Sequence, residues 1–310
     1  MKICFFGLGS IGKRHLINVS KVANKMGLEL EIHAFRSTNR NLDSSINSLL
    51  TKEFYSVKEL QDDYDITFVT NPTHLHFNTI KFMVNKSKHM FIEKPIFESR
   101  NYDLSELELN ENNIYHVATP LRFTNIIKNL KKILVHEDIY SVRVISSSFL
   151  PYWRPGVDYR HVYSAKKSEG GGVSADLIHE WDYITHLFGF PEKVYNLNGK
   201  YSHLEIDSDD LSIYIAQYKD KLLELHLDYF GKENKREIEI FTKESKIIGD
   251  FVRDSIRFSD ERNDLEFDEL DSDMYLEEME YFLRNVMHNY KQGNNIQHAY
   301  QTLKIAVGGN

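Results

Sequence analysis

The apolar run Ile3, Cys4, Phe5 and Phe6 ends abruptly at Gly7-Leu8-Gly9-Ser10-Ile11-Gly12 and passes straight into a helical pattern. Ile11, Leu16, Val19, Ala23 and Met26 form its apolar stripe, Gly27 stops it, and residues 28–35 then alternate as a strand. The G-x-G-x-x-G spacing alone is a weak signal. Set between a strand, a helix and a second strand, it is a dinucleotide-binding fingerprint, in which glycines allow a tight turn and let a pyrophosphate approach the helix N-terminus. Gly7, Gly9, Ser10, Ile11 and Gly12 are the candidate contacts. At the tip of the second strand, where an Asp or Glu usually holds the adenosine ribose, stand Arg36 and Ser37. An arginine there pairs with a 2′-phosphate, stacks on adenine or faces solvent; the first of these favours NADP(H) over NAD(H).

The same rhythm continues. A strand over 65–70 ends at Thr70-Asn71-Pro72, a helix spans about 74–86, and a strand over 89–92 ends at Glu93-Lys94-Pro95. These tripeptides lie at C-terminal strand ends, the edge where open α/β sheets bind ligands. Pro95 favours an extended Lys94, which aims its amine out of the sheet, where it can orient a substrate hydroxyl or simply meet solvent. A helix over 101–110 and a strand over 114–118 complete a first domain ending near Thr119. His74 and His76 have no carboxylate or cysteine at ligand spacing, so His76 reads as a histidine at a helix start touching the cofactor and not as a metal ligand.

From residue 120 the texture changes. After an amphipathic helix carrying Ile126, Ile127, Leu130, Ile133 and Leu134, strand-like runs recur at 140–149, 193–198, 211–218, 222–230, 236–241, 246–251 and 255–258. Short turns such as Lys219-Asp220 and Lys243-Glu244 make this a large, mostly antiparallel open sheet. The chain thus divides into an α/β Rossmann domain over 1–119, with a doubly wound parallel sheet, and an α+β domain over 120–310. Helices should cover one face of the second sheet, and the other face suits a subunit contact in a homo-oligomer, a dimer or tetramer. Tyr275, Met279, Phe282, Leu283, Val286, Met287 and Tyr290 form a helical stripe behind an acid-rich stretch, and a last helix over 296–307 packs back on the body.

Chemistry concentrates at Gly170-Gly171-Gly172, after which a helix pattern places Asp176, His179 and either Asp182 or Tyr183 on one face. An acid and a histidine behind a glycine hinge suit proton transfer. Upstream, Trp153, Arg154, Asp158, Tyr159 and Arg160 crowd an irregular loop rich in the aromatic and hydrogen-bonding groups that bind sugars. With 41% hydrophobic residues, 310 residues are enough for two cores. A net charge of −8 argues against nucleic acid or anionic membrane as partner. The lone Cys4 excludes a disulfide framework and suits a reducing cytoplasm. With no leader segment and no apolar run near the roughly 18 residues of a membrane span, a soluble cytoplasmic protein is expected.

Taken together, Gly7-x-Gly9-x-x-Gly12, Asn71-Pro72-Thr73-x-x-His76, Glu93-Lys94-Pro95 and the Gly170 stretch resemble the Gfo/Idh/MocA oxidoreductase family over essentially the whole chain. The segments Tyr152-Trp153-Arg154-Pro155 and D-x-x-H-E-x-D-Y look like a branch associated with sugar and sialic-acid-like biosynthesis. The resemblance implies an active site between the two domains, with Lys94, Asp176 and His179 as catalytic groups and Arg122, Trp153, Arg154, Asp158, Tyr159, Arg160 and Tyr183 around a sugar-type substrate. Glu93, Lys94, Thr70, Asn71, Pro72 and His76 join the cofactor contacts. Many members space acid and histidine as D-x-x-x-H; here it is Asp176-x-x-His179, which leaves Glu180, Asp182 and Tyr183 as substitutes. The expected reaction interconverts a hydroxyl and a ketone; the same superfamily also holds a non-catalytic sugar-pathway repressor, so a sensing protein is the alternative.

Overall fold

The computed structural model describes residues 1–267, 273–291 and 293–308, which form two compact units. One gathers residues 1–120 with 274–300, the other residues 121–273 with the chain from 301 onward. The chain therefore leaves the first unit after Pro120 and returns to it at Met274, so 120–310 is not one continuous second domain.

In the first unit six parallel strands, β1 (Lys2–Phe6), β2 (Glu31–Phe35), β3 (Lys52–Phe54), β4 (Tyr64–Val69), β5 (Ser87–Ile92) and β6 (Tyr115–Val117), lie in the order β3-β2-β1-β4-β5-β6. Helices α1 (Ser10–Lys25), α2 (Ser44–Asn47) and α3 (His76–Met83) connect them. This is the doubly wound order, reversing between β1 and β4. The edge strand β3 has three residues, too few to show an alternation in sequence. Over 101–110 the expected helix is only a 3-10 turn, Leu104–Leu107, because Glu108 turns into the left-handed region at φ 49°.

Register puts Phe5 beside Phe68 and Phe68 beside Phe91, so three phenylalanines form a row across β1, β4 and β5. Phe5 and Phe68 stack with centroids 4.4 Å apart, and Phe68 and Phe91 lie 5.3 Å apart. Such a row needs an apolar lid. The returning helix Met274–His288 supplies it, with Phe282 5.3 Å from Phe91 edge-on and Met279 and Leu283 fully buried beside it. On the same helix the buried Glu278 carboxylate accepts from His116 Nε2 at 3.1 Å and from the backbone N–H of Thr119. Of the stripe read from the sequence, Met279, Phe282, Leu283 and Val286 pack on the first unit's core, while Met287 and Tyr290 are exposed.

A second brace joins α1 to the end of β5. His15, fully buried against Phe91, faces Glu93 through Nε2, and the other Glu93 oxygen accepts from Lys94 N at 3.1 Å. Burial alone would raise the Glu93 carboxyl, but His15 and the Lys94 charge outweigh it and hold the group below its ordinary value.

The second unit carries α4 (Asn125–Ile133), β7 (Ile139–Phe149), α5 (Val173–Asp176), α6 (Ile178–Phe188) and β8 (Lys193–Gly199). It continues through β9 (Leu211–Gln217), β10 (Leu222–Asp228), β11 (Phe230–Thr242), β12 (Lys246–Asp250), β13 (Ser255–Phe258) and β14 (Leu265–Glu266). The returning helix Met274–His288 is α7, and α8 (Ile296–Ala306) follows it. The eight-stranded sheet runs β14-β13-β12-β11-β7-β10-β9-β8, antiparallel throughout except for the β7/β10 pair. α6 covers one face, where Trp181 meets Tyr214 edge-on at 5.3 Å. The opposite face of β8, β9 and β10 presents Tyr195, Leu197, Ile213, Ile215 and Leu222 to solvent. Among the described residues no helix is long and apolar enough to cross a membrane.

Two tests follow from the first unit. Phe282→Ala should lower the unfolding free energy in urea by about 3–5 kcal/mol, the usual cost of emptying a buried aromatic site; a loss under about 1 kcal/mol would mean that α7 does not close the phenylalanine row. Glu93 titrates lower folded than unfolded, so its contribution is present above its ordinary value of 4.5 and is lost as pH falls through the lower folded value. The urea midpoint of Glu93→Gln should therefore fall less steeply than that of wild type on acidification from about 4.5 down through that lower value.

Candidate active site

The turn after β1 is shaped by what glycine lacks. Gly7 sits at φ +96°, and a Cβ there would lie 2.9 Å from the Asn71 Cα; one on Gly12 would lie 2.4 Å from the Gly7 carbonyl oxygen. Thr70 Oγ1 donates to the Gly7 oxygen at 2.7 Å, tying the ends of β1 and β4 together at the reversal of strand order. Gly9 differs: a Cβ there would meet nothing within 4 Å, so its freedom faces open space at the start of α1. No side chain caps that helix start, and Gly9 and Ser10 are exposed, with Ile11 half-buried. Two glycines packed on protein and one facing outward, before an uncapped helix, fit a dinucleotide pyrophosphate.

Other expected cofactor residues divide between rim and interior. Asn71 is half-buried, with its amide donating to Thr79 Oγ1 at 2.8 Å, and Pro72 and Ser37 are exposed. His76 and Glu93, expected as contacts, turn inward. His76 is buried with Nε2 2.9 Å from the Asn71 oxygen and Nδ1 3.1 Å from the Pro95 oxygen, so it braces the β4 loop against the β5 loop. Its burial holds the imidazole below its ordinary value. Glu93 is spent on His15, as above. Lys94 is half-buried at the end of β5, and the Lys94–Pro95 peptide is cis.

Arg36 does not lie open at the tip of β2. Its guanidinium donates to Glu53 on β3 and to the Arg40 carbonyl, and its side chain is 9% exposed. A cavity of about 420 Å³ opens beside it, lined by Arg36, Arg40, Asn47, Glu53 and Tyr55 among others.

In the second unit the helix expected after the glycines is two. α5 stops at Asp176, the backbone leaves helical geometry at Leu177 (φ −93°, ψ 28°), and α6 begins at Ile178. Asp176 therefore ends one helix and His179 lies in the first turn of the next, so helical spacing does not govern their geometry. Gly172, at φ +129°, has no room for a Cβ, which would lie 2.0 Å from Asp209 Oδ1. Asp209 in turn accepts from Ser174 N at 3.0 Å and Ser174 Oγ at 2.6 Å, fixing the start of α5.

Asp176 is buried, and Tyr229 donates to its Oδ2 at 2.6 Å. Tyr163 stands close enough for this carboxylate to act on its phenol. Burial first, then the Asp176 charge, pushes both phenols up, which keeps them as donors. Burial, with the Asp176 charge beside it, raises the Asp209 carboxyl. Above the tyrosines stand two residues of the expected sugar loop: Trp153 is edge-on to Tyr229 at 5.2 Å, and the Arg154 guanidinium lies 5.9 Å from the Tyr163 ring centre.

The remaining candidates are placed elsewhere in this unit. Asp158 and Arg160 pair with each other, Arg160 reaches Glu205 at 3.0 Å, and Tyr159 Oη accepts from Glu205 N. Exposed as it is, Asp158 is lowered to about 2 by Arg160. Arg122 forms a two-pronged pair with Asp182 at 2.9 and 2.7 Å, and the buried Glu180 takes Arg236 at 2.6 Å. Tyr183, expected at the substrate, is fully buried with its ring 5.3 Å from Phe251. α6 buries Ile178, Trp181, Tyr183 and Ile184, so little of its surface is left for a ligand. Of the acids considered to support His179, Glu180 and Asp182 are engaged by arginines, and Asp176 accepts from Tyr229. Tyr229 and Tyr163 escape a reading of the sequence because neither lies near a motif; the one hint is an aromatic at the C-terminal end of a sheet strand.

Residues 1–118 match the GFO_IDH_MocA family, described as an oxidoreductase family with an NAD-binding Rossmann fold. The chain is 27% identical over 188 residues to the uncharacterized oxidoreductase YrbE of Bacillus subtilis, a match covering 59% of this chain and 52% of that relative. It is 24% identical over 313 residues to myo-inositol 2-dehydrogenase of Thermotoga maritima, covering 92% of this chain and 88% of the relative. Its fold is shared with levoglucosan dehydrogenase in complex with NADH and levoglucosan, at a TM-score of 0.84 and 16% identity, over 99% of this chain and 95% of the other. The family match thus covers the first unit's sheet and glycine turn, and the fold of the whole chain is that of the levoglucosan dehydrogenase structure.

Proposed function

We propose that the chain is a nicotinamide-dependent dehydrogenase or reductase that interconverts a hydroxyl and a ketone on a sugar, amino sugar, nucleotide sugar or polyol. The observation that carries this reading is the buried Asp176 carboxylate, held by the Tyr229 hydroxyl beside Tyr163, below Trp153 and Arg154 and three residues from His179. The fold does not need a charge at that depth, and a buried acid with donors in place beside an aromatic loop is what a reacting centre requires. Relatives named as a myo-inositol 2-dehydrogenase and a levoglucosan dehydrogenase support the substrate class.

When bound, the nicotinamide supplies a hydride acceptor for oxidation or a donor for reduction. His179 takes the hydroxyl proton, since imidazole is the side chain that titrates closest to neutral pH. Asp176, which accepts from Tyr229, stabilises the imidazolium and favours one tautomer. Lys94 donates a hydrogen bond to the reacting oxygen and stabilises the alkoxide that forms as the proton leaves. Trp153 and Arg154 are the first candidates for sugar contact. Asp158, Tyr159 and Arg160 hold the loop through Glu205, while Arg122 and Tyr183 act through packing and the Asp182 pair. The preference for NADP(H) suggested by Arg36 loses its support, because Glu53 already meets that charge. The apolar face of β8, β9 and β10 is proposed as the subunit contact of a homo-oligomer.

Lys94→Ala and His179→Ala should each reduce kcat by about 10²–10⁴-fold, the range for a lost proton-transfer group. Tyr229→Phe should reduce kcat about tenfold, with a smaller change in KM, as the loss of one donor to a charged acceptor implies. Wild-type turnover in His179→Ala would remove the assignment. No change in nicotinamide absorbance over a broad panel of sugars and polyols would favour the sensing alternative. For the assembly, the double substitution of Leu197 and Ile215 by Asp should shift the protein to monomer in sedimentation; an unchanged mass would place the contact elsewhere.

A further inference from the structure

We infer that Glu53 sets the choice of dinucleotide, and that the form it admits is NAD(H). The inference rests on the dinucleotide reading of the first unit and concerns only its adenosine end.

An acid is missing from the tip of β2, but the sheet supplies one from the next strand. Register pairs Ala34 with Glu53 and Phe35 with Phe54, and Arg36 N donates to the Phe54 oxygen at 3.0 Å. Glu53 therefore stands beside Ala34, two residues short of the tip of β2, and its side chain reaches the tip at the Arg36 guanidinium. One arm of the Arg36 guanidinium goes to Glu53 Oε2 and another to the Arg40 carbonyl, while Tyr55 Oη donates to the same Glu53 oxygen at 3.2 Å. The Glu53 side chain keeps 23% exposure, and the cavity of about 420 Å³ opens directly on it.

Consider the two ligands that differ only at the ribose. A free 2′-hydroxyl, with its 3′ neighbour, offers O–H donors to a carboxylate that only accepts. A 2′-phosphate brings close to two negative charges and only acceptors. It would have to displace Glu53 from Arg36 or lie beside its charge. Arg40 leaves the cavity net positive, but Glu53 Oε2 and the Arg40 carbonyl already take the two arms of the Arg36 fork that a phosphate would need. Arg36 thus orients Glu53, and Glu53 reads the ribose.

Titration of NADH and NADPH into the full chain, followed by nicotinamide fluorescence, tests this without turnover. Wild type should bind NADH at least about tenfold more tightly than NADPH, and Glu53→Gln should shift that ratio at least about tenfold toward NADPH. Tighter NADPH binding by wild type, or an unchanged ratio in a Glu53→Gln variant with a native circular dichroism spectrum, would overturn the inference and leave the dinucleotide reading standing. Binding of neither form would remove both. Should Glu53→Gln not fold, competition on wild type decides: 5′-AMP should displace NADH better than adenosine 2′,5′-bisphosphate does, and the reverse order would overturn the assignment.

Discussion

The row of Phe5, Phe68 and Phe91 is the interaction on which the first unit depends. It fixes the register of β1, β4 and β5, and so sets where Gly7, Thr70 and Glu93 emerge at the C-terminal edge. It also explains the path of the chain. One face of these strands is left with large flat rings that α1 alone does not cover, and the apolar stripe of α7 is brought back from more than 150 residues away to close it. The buried Glu278 then takes donors from His116 and Thr119, so the helix is anchored by charge-assisted hydrogen bonds as well as by packing.

A different constraint organises the second unit. Asp176 and Asp209 are close enough for each charge to weigh on the other, and burial adds to the cost. Local hydrogen bonds resolve this unevenly. Ser174 serves Asp209 from within α5, while Asp176 takes Tyr229, from the end of β10, with Tyr163, from the loop after β7, close by. Because these tyrosines carry Trp153 and Arg154 on their faces, the position of the loop and the electrostatics of the acid are set by the same rings.

Much of this is legible in the sequence, wherever a signal is local and repeated. The glycine turn reads because strand, helix and strand surround it, and β7 to β13 read because alternation and short turns recur. Other features rest on partners far away in the chain. Residues 173–188 form a continuous helical pattern, and nothing in it marks Leu177 as a break or shows that Asp176 beside it meets Tyr229, 53 residues on. β3 is too short to alternate, so Glu53 cannot be seen to reach Arg36. An amphipathic stripe reports that α7 covers something apolar, but not which sheet it covers.

Arginine is where the reading of residue types diverges most from the structure, and the reason is general. A guanidinium is always charged and carries a planar fork that matches a carboxylate, so in a chain with 46 acids and 38 bases it seldom lacks a partner. Arg36 meets Glu53, Arg122 meets Asp182, Arg160 meets Asp158 and Glu205, and Arg236 meets Glu180. An arginine so paired presents a ligand with a nearly neutral unit, whose acceptor oxygens face outward as readily as its donors. Recognition then falls to the groups around the pair: carboxylate oxygens for hydroxyl donors, and aromatic faces for ring carbons. In the second unit the Tyr229 hydroxyl meets Asp176, while arginines meet Glu180 and Asp182, so three acids within one short stretch are told apart by the groups brought to them and not by residue type.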